Sequence, residues 1–275
     1  MYFDVLVYNG NIHTFENPYD IYRSMLIKDG KIVKLYKENY VEDEIDLKND
    51  VGKMINLYNQ TVIPSFIVKD VYMLPLLLFK YNKYLKFNTL GEAEVYFGNL
   101  DSKTQKQILS DGNDYLLNKG ISTIILKEDN YSESVNNRVN EYLIHHSTIK
   151  YLKKKSNRRI INNDTIINAA EHFPDLDPLN KVKKSIKENM YPYLAIKKEL
   201  YIEAKETDHL NDMGIINENY YANFMILNKD IFVPEDNNYK DLEIIKTYAF
   251  GEEVKKIKHK NTIDNIRKVI LKKEA

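Results

Sequence analysis

Six histidines and no cysteine bound the chemistry this chain can do. Without thiols there are no disulfides, no thiolate metal sites and no cysteine nucleophile. The adjacent pair His145-His146 is the most ligand-like local feature. On a helix those two rings diverge, whereas Glu141 and His145 share a face at i, i+4. Two ligands without further anchors make a surface pair more readily than a metal centre. His13 falls inside a predicted strand, where ordinary hydrogen bonding accounts for it. His209 and His259 lie among charged residues and read as exposed. The densest basic run, Lys153-Lys-Lys-Ser-Asn-Arg-Arg159, suits a solvated helix end or loop, and it lacks the aromatic interleaving of a nucleic-acid patch. Lys+Arg and Asp+Glu number 40 each, so no overall field draws the chain to nucleic acid or an anionic membrane. No glycine-rich phosphate loop and no serine in a nucleophile elbow is present.

The elements that would position any such residues fall into three stretches. Residues 1–63 alternate and turn like a small all-β module. Asp4-Val-Leu-Val-Tyr8 reads as a strand, and Asn9-Gly10 as a hairpin turn returning through Asn11-Ile-His-Thr-Phe15. Ser24–Lys28 and Lys31–Leu35 flank a second turn at Asp29-Gly30. Thr61–Tyr72 reads as one buried strand, β-branched and too short for an ordinary helix. Met73–Phe79 is expected to be helical, with Pro75 in its first turn. Thr104–Lys119 is an amphipathic helix with Ile108, Leu109, Tyr115 and Leu116 on its apolar side, stopped by Gly120 and followed by the strand Ile121–Leu126. Val135–Lys155 is expected to be largely helical, as are Ser185–His209, with a break or restart at Pro192. After Asn261, Ile263, Ile266, Val269 and Ile270 share one face of a tail helix. The N-terminus has neither the charged region nor the cleavage site of a signal peptide, and the apolar window Val71–Phe79 is too short to span a bilayer. A cytoplasmic protein is the expectation.

Several of these stretches together resemble the metal-dependent amidohydrolase superfamily. Asp4–Thr14 followed by Met25–Val33 resembles the N-terminal arm of that family's β-sandwich, above all in the branch of N-substituted formamide deformylases and related N-acyl hydrolases. Met213–Phe232, with Asn219 in a slot usually held by glycine, is similar to the segment that re-enters the sandwich. Ile244–Val254 is similar to its final hairpin. The helix running into Ile121–Leu126 has its counterpart there too. The family's first barrel strand ends in a run close to Pro-Gly-Phe-Ile-Asp-Ala-His-x-His. Here Pro64, Phe66 and Ile67 keep the frame, and Ser65 replaces the glycine. Glu171-His-Phe-Pro-Asp-Leu-Asp-Pro-Leu-Asn180 is similar to the close of the last barrel strand, with Asp177-Pro178-Leu179 opening the next helix.

The resemblance implies a mixed α/β fold: a composite β-sandwich from 1–63 plus 205–256, a truncated and mostly helical TIM-like barrel remnant over 64–204, and a tail helix over 257–275. About three barrel strands are countable against the eight of a closed barrel. Such a remnant exposes edges and an apolar face, which a second copy of the chain could cover as a homodimer. The family-equivalent site positions are Asp70 and Tyr72, in place of the two ligand histidines, and His172 flanked by Glu171, in place of the catalytic aspartate. The family would use zinc or another divalent metal, yet this set lacks the imidazole pair such a site requires. The expectation is a pseudoenzyme, an amidohydrolase-like binding or assembly module holding no metal, with a small amide as its ligand. The alternative is a rebuilt carbon–nitrogen hydrolase in which Asp70 orients His172 as general base and Tyr72 donates to an oxyanion. No nucleic acid and no membrane partner is expected.

Overall fold

The structure is a computed structural model and describes residues 2–39, 46–47, 49–71, 74, 77–78, 81–82, 85, 87, 89–126, 135, 150–153, 177–200, 212–232 and 239–254. In chain order these form β1 (Phe3–Tyr8), β2 (Asn11–His13), β3 (Ile21–Tyr22), β4 (Ser24–Lys28), β5 (Lys31–Tyr36), β6 (Val51–Asn56), β7 (Thr61–Pro64) and β8 (Phe66–Val71). There follow α1 (Leu90–Gly98), α2 (Ser102–Asn118), β9 (Ile121–Leu126), β10 (Lys150–Lys153), α3 (Pro178–Lys187) and α4 (Pro192–Leu200). The chain then returns to sheet as β11 (Phe224–Leu227), β12 (Ile244–Ala249) and β13 (Glu252–Glu253). Leu74, Leu77 and Leu78 are helical and buried.

Three sheets result, in the orders β5-β4-β1-β6, β13-β12-β11-β7-β2-β3 and β10-β9-β8. The six-stranded sheet joins the two ends of the chain, because β11 lies antiparallel to β7 with Phe224 opposite Pro64 and Leu227 opposite Thr61. Both its faces are covered. Val62, Phe224, Ile226 and Tyr248 pack against Val5, Val7, Met25 and Ile27 of the four-stranded sheet, forming a sandwich core. On the other face Ile63, Met225, Leu227 and Ile244 join Phe66, Ile108, Leu116, Val182 and Ile196. A strand buried on two faces loses its polar alternation, which is why β7 and β11 read as unbroken apolar runs. Leu6, between Val5 and Val7, faces outward onto Leu26, Tyr36 and Val51. The mixed α/β architecture agrees with the sequence reading.

Two turns behave as their residues dictate. Asp29 and Gly30 both have positive φ (51° and 73°) and join β4 to β5, with Lys28 opposite Lys31. Phe250 and Gly251 (52° and 78°) do the same between β12 and β13. Two central residues with positive φ make the turn whose twist suits a hairpin.

Four expectations are corrected. Asn9-Gly10 is no hairpin: β1 pairs with β4 and β6, while β2 pairs with β3 and β7 in the other sheet. Asn9 has φ 56° but Gly10 is not left-handed, so the pair moves the chain between sheets rather than reversing it within one. The Thr61–Tyr72 strand is two strands, since β7 belongs to the sandwich and β8 to the parallel sheet, with the switch at Ser65. Lys150–Lys153, inside the segment expected to be helical, is strand β10, in parallel register with β9. Tertiary pairing outweighs local helix propensity there. His13, expected to be ordinarily hydrogen-bonded, has a buried Nε2 with no partner among the described residues. The tail helix over 257–275 lies outside the described residues.

α2 and α3 are tied at one point. Asp177 caps α3 by accepting from the Asn180 backbone N–H (3.1 Å) and side chain (3.0 Å), and it also pairs with Lys119 just beyond α2. Pro178 follows at the first helical position, where its missing N–H costs nothing. Asp177→Ala should lower unfolding free energy by about 2 kcal/mol, a cap plus a partly buried ion pair. Urea unfolding reads this as a lower midpoint at constant slope, and an unchanged midpoint would show that neither contact matters.

Candidate functional site

The parallel sheet sets the geometry of the site. Phe66 N–H donates to the Gly120 carbonyl (2.7 Å) and Ser65 N–H to the Asn223 carbonyl (3.1 Å), so β8 starts beside β9 and the sandwich at once. The Ser65 and Ser122 hydroxyls, both buried, share a hydrogen bond. Serine in the slot that glycine holds in the family run is thereby given a partner for its polar atom. After a first shift, in which β9 advances from Ile121 to Thr123 while β8 advances from Phe66 to Ile67, the three strands run in step. Val68, Ile124 and Tyr151 form one row, and Lys69, Ile125 and Leu152 the next. The row at the C-terminal ends is Val71, Leu126 and Lys153.

Between the last two rows β8 advances two residues while β9 advances one. Asp70 is the extra residue. Bulges of this kind occur next to active sites, where they re-aim a side chain or end the pairing. Ligands of parallel α/β sheets bind at the C-terminal strand ends, where Asp70 stands. Of the four site positions expected from sequence, Asp70 is therefore placed at the rim of the sheet. Tyr72, Glu171 and His172 lie outside the described residues, as do Glu141, His145, His146, His209 and His259. Among the described residues no group of three or more His, Asp or Glu could hold a metal ion. Among the described residues, the one carboxylate near the end of β8 is too small a donor set for zinc.

Sequence reasoning missed two features. The first is Lys153, taken as the start of a solvated basic run but found at the end of β10. Thr148-Ile149-Lys150-Tyr151 carries the β-branched and aromatic residues that could have announced the strand. The second is the surroundings of His13. Its ring, 5% exposed, lies 4.0 Å from that of Phe232 at 30°. Burial strips water from the imidazolium and lowers the pKa to about 4, the Asp230 carboxylate opposing this in part. Phe15, which also contacts Phe232, stacks flat on Tyr193 of α4 at 5.0 Å, and the Tyr193 hydroxyl donates to the Phe15 carbonyl (3.3 Å). Phe15 has φ 64°, rare for a bulky side chain, so this junction of β2, α4 and the segment after β11 holds strained backbone.

With this geometry in view, solved structures give the fold its place. A crystal structure titled as an amidohydrolase superposes with a TM-score of 0.55, covering 93% of this chain and 100% of that one at 9% identity. The fold is similar to that of this amidohydrolase structure. A. niger ochratoxinase gives 0.57, at 9% identity over 94% of this chain and 97% of its own. A zinc-bound adenosine deaminase from Xanthomonas campestris gives 0.55, at 8% identity over 98% of each chain. At such identities the likeness concerns the amidohydrolase fold alone. No known family pattern matches the sequence, and no curated protein does. Among the described residues the parallel sheet is open, with three strands, and no helix is long and apolar enough to cross a membrane.

Proposed function

We propose that this chain is a non-catalytic binding module built on the amidohydrolase fold, taking a small amide-like ligand at the C-terminal ends of the parallel strands. The observation that carries the reading is the bulge near the end of β8, where Asp70 stands in the position of a ligand histidine of the run it resembles. A lone carboxylate can accept hydrogen bonds from an amide N–H but cannot rebuild the pair of neutral imidazoles a zinc hydroxide needs. Tyr72, Glu171 and His172 complete the site in this reading. Residues 1–63 and 205–256 serve as its frame and 64–204 carry it. A second copy covers the open remnant, and light scattering would read the doubled mass.

The bulge at Asp70 favours one competing reading, a hydrolase with a rebuilt site, because bulges re-aim side chains at active sites. A panel of amides, formamides and ureas separates the two. Binding alone should raise Tm by about 5 °C or more at saturating ligand, with no product formed. Product that disappears in both Asp70→Asn and His172→Ala would overturn the binding reading and establish the hydrolase. Metal content by mass spectrometry belongs to the same experiment. Near-stoichiometric zinc in the purified protein would point to ligands beyond the described residues and sink the metal-free site.

A further inference from the structure

We propose that Asn9-Gly10 is a latent deamidation site, closed by the fold and opened by local unfolding of the turn between β6 and β7. It is the chain's one Asn-Gly pair. With no Cβ on the following residue, the Gly10 backbone nitrogen is unshielded. It can attack the Asn9 Cγ, expel ammonia and close a five-membered imide. Water then opens the ring. Breaking the bond from nitrogen to Cγ leaves aspartate, and breaking the bond to the Asn9 carbonyl carbon leaves isoaspartate. Water enters and ammonia leaves, so the balance needs no oxidant or reductant.

The fold holds each group this reaction must move. Gly10 N–H donates to the Arg23 carbonyl (3.0 Å), so the nucleophile's proton is engaged. Asn9 Oδ1 accepts from the Arg23 guanidinium (3.3 Å), and Asn9 Nδ2 donates to Asn56 Oδ1 (3.1 Å). The Asn9 backbone N–H donates to Asn39 Oδ1 (3.1 Å), and its carbonyl accepts from the Asn59 N–H (2.7 Å). Leu57 is buried, and a Cβ built on Gly10 would sit 2.2 Å from its Cδ1, so the pair has no room to rotate.

The weak point of this clamp is the turn Leu57–Gln60. Tyr58 and Asn59 both have positive φ (50° and 62°), a costly conformation for an aromatic residue, and both are exposed. Asn59 also accepts from Arg23 (2.6 Å), so opening the turn frees the Asn9 carbonyl and loosens the guanidinium together. Such a segment opens at lower cost than the whole fold. Arg23 donates to three amide oxygens, of Asn9, Asn11 and Asn59, and among the described residues it pairs with no carboxylate. An aspartate at position 9 supplies one and gains a charge-assisted bond. Isoaspartate instead lengthens the main chain where it crosses between sheets, against Leu57.

Ageing the full chain in mildly alkaline buffer, with and without urea, tests this, with peptide mass spectrometry reading the conversion of the Asn9 amide to acid. The folded chain should react about a hundredfold or more slowly than the unfolded one, because reaction passes through a minor open population. Leu57→Ala and Asn59→Ala should each raise the folded rate about tenfold and leave the rate in urea unchanged. Circular dichroism confirms that the variants remain folded, and Asn59→Ala, at an exposed position, carries the test if Leu57→Ala unfolds. Equal rates in the folded and unfolded chain would overturn the proposal, as would folded rates that neither variant changes. Arg23→Gln should also react faster when folded. A slower rate there would mean that the guanidinium activates the amide rather than clamping it, and would overturn the closed site.

Discussion

Acidification from pH 6.5 to 4 should cost this protein about 3 kcal/mol of stability through His13 alone, and His13→Leu should remove that loss. The imidazole is buried against Phe232, its Nε2 has no partner among the described residues, and its pKa is lowered to about 4. In the unfolded chain the same group titrates near its ordinary 6.5. Between those values the unfolded state takes up a proton that the folded state refuses, so stability falls as pH falls. Well above pH 6.5 both states hold neutral histidine, and the contribution is flat. Other carboxylates also titrate in acid, so the readout is the difference between wild type and variant in urea unfolding at pH 7, 5.5 and 4.5. At pH 7 the variant should be near neutral or slightly stabilised, since it deletes an orphaned polar atom. Parallel loss of stability in the two proteins would mean that His13 is charged or solvated in the fold. Asp230→Asn should enlarge the loss and extend it to lower pH, because it removes a charge that favours the imidazolium.

Gly120→Ala should destabilise by about 3 kcal/mol or more, combining a left-handed backbone with an overfilled core. Gly120 has φ 75°, and a Cβ built on it would sit 2.6 Å from Met225 Sδ, 2.9 Å from Ile244 Cδ1 and 3.3 Å from Phe66. Its carbonyl accepts the Phe66 N–H that starts the parallel sheet, so the backbone has little freedom to yield. Gly98, near the end of α1, is the control, because a Cβ there meets nothing within 4 Å. Gly98→Ala should be neutral or stabilise by up to about 1 kcal/mol. Equal effects at the two glycines, by urea or thermal unfolding, would show that the close packing of α2 and β9 on the sandwich is wrong.

Local chemistry was legible before any coordinates. Asp29-Gly30 announces a hairpin because an acidic or amide residue followed by glycine tolerates two positive φ values in succession. The α2 helix is visible in the 3.6-residue spacing of Ile108, Leu109, Tyr115 and Leu116, and Gly120 marks its end by the freedom of φ that a C′ position requires. Asn219 adopts the left-handed conformation expected of a residue in a glycine slot (φ 68°). Asp177-Pro178 marks a helix start for equally local reasons. The family run at Pro64–Tyr72 pointed to the strand that bears Asp70, and the structure puts that residue at the strand's C-terminal end.

Only the tertiary structure decided which strands become neighbours. Asn9-Gly10 carries a turn signal as strong as Asp29-Gly30, yet it passes the chain from one sheet to the other. Both edges of β1 are taken by β4 and β6, strands distant in sequence. Thr61–Val71 shows no break in hydrophobicity at Ser65, because each half is buried in a different sheet. The strand at Lys150–Lys153 exists through its parallel pairing with β9. His13 becomes a titrating liability only because Phe232, more than two hundred residues away, closes over its ring. Turns, caps and helix faces depend on a few consecutive residues and can be read from them. Sheet order and burial of a polar ring depend on which distant surfaces exclude water together.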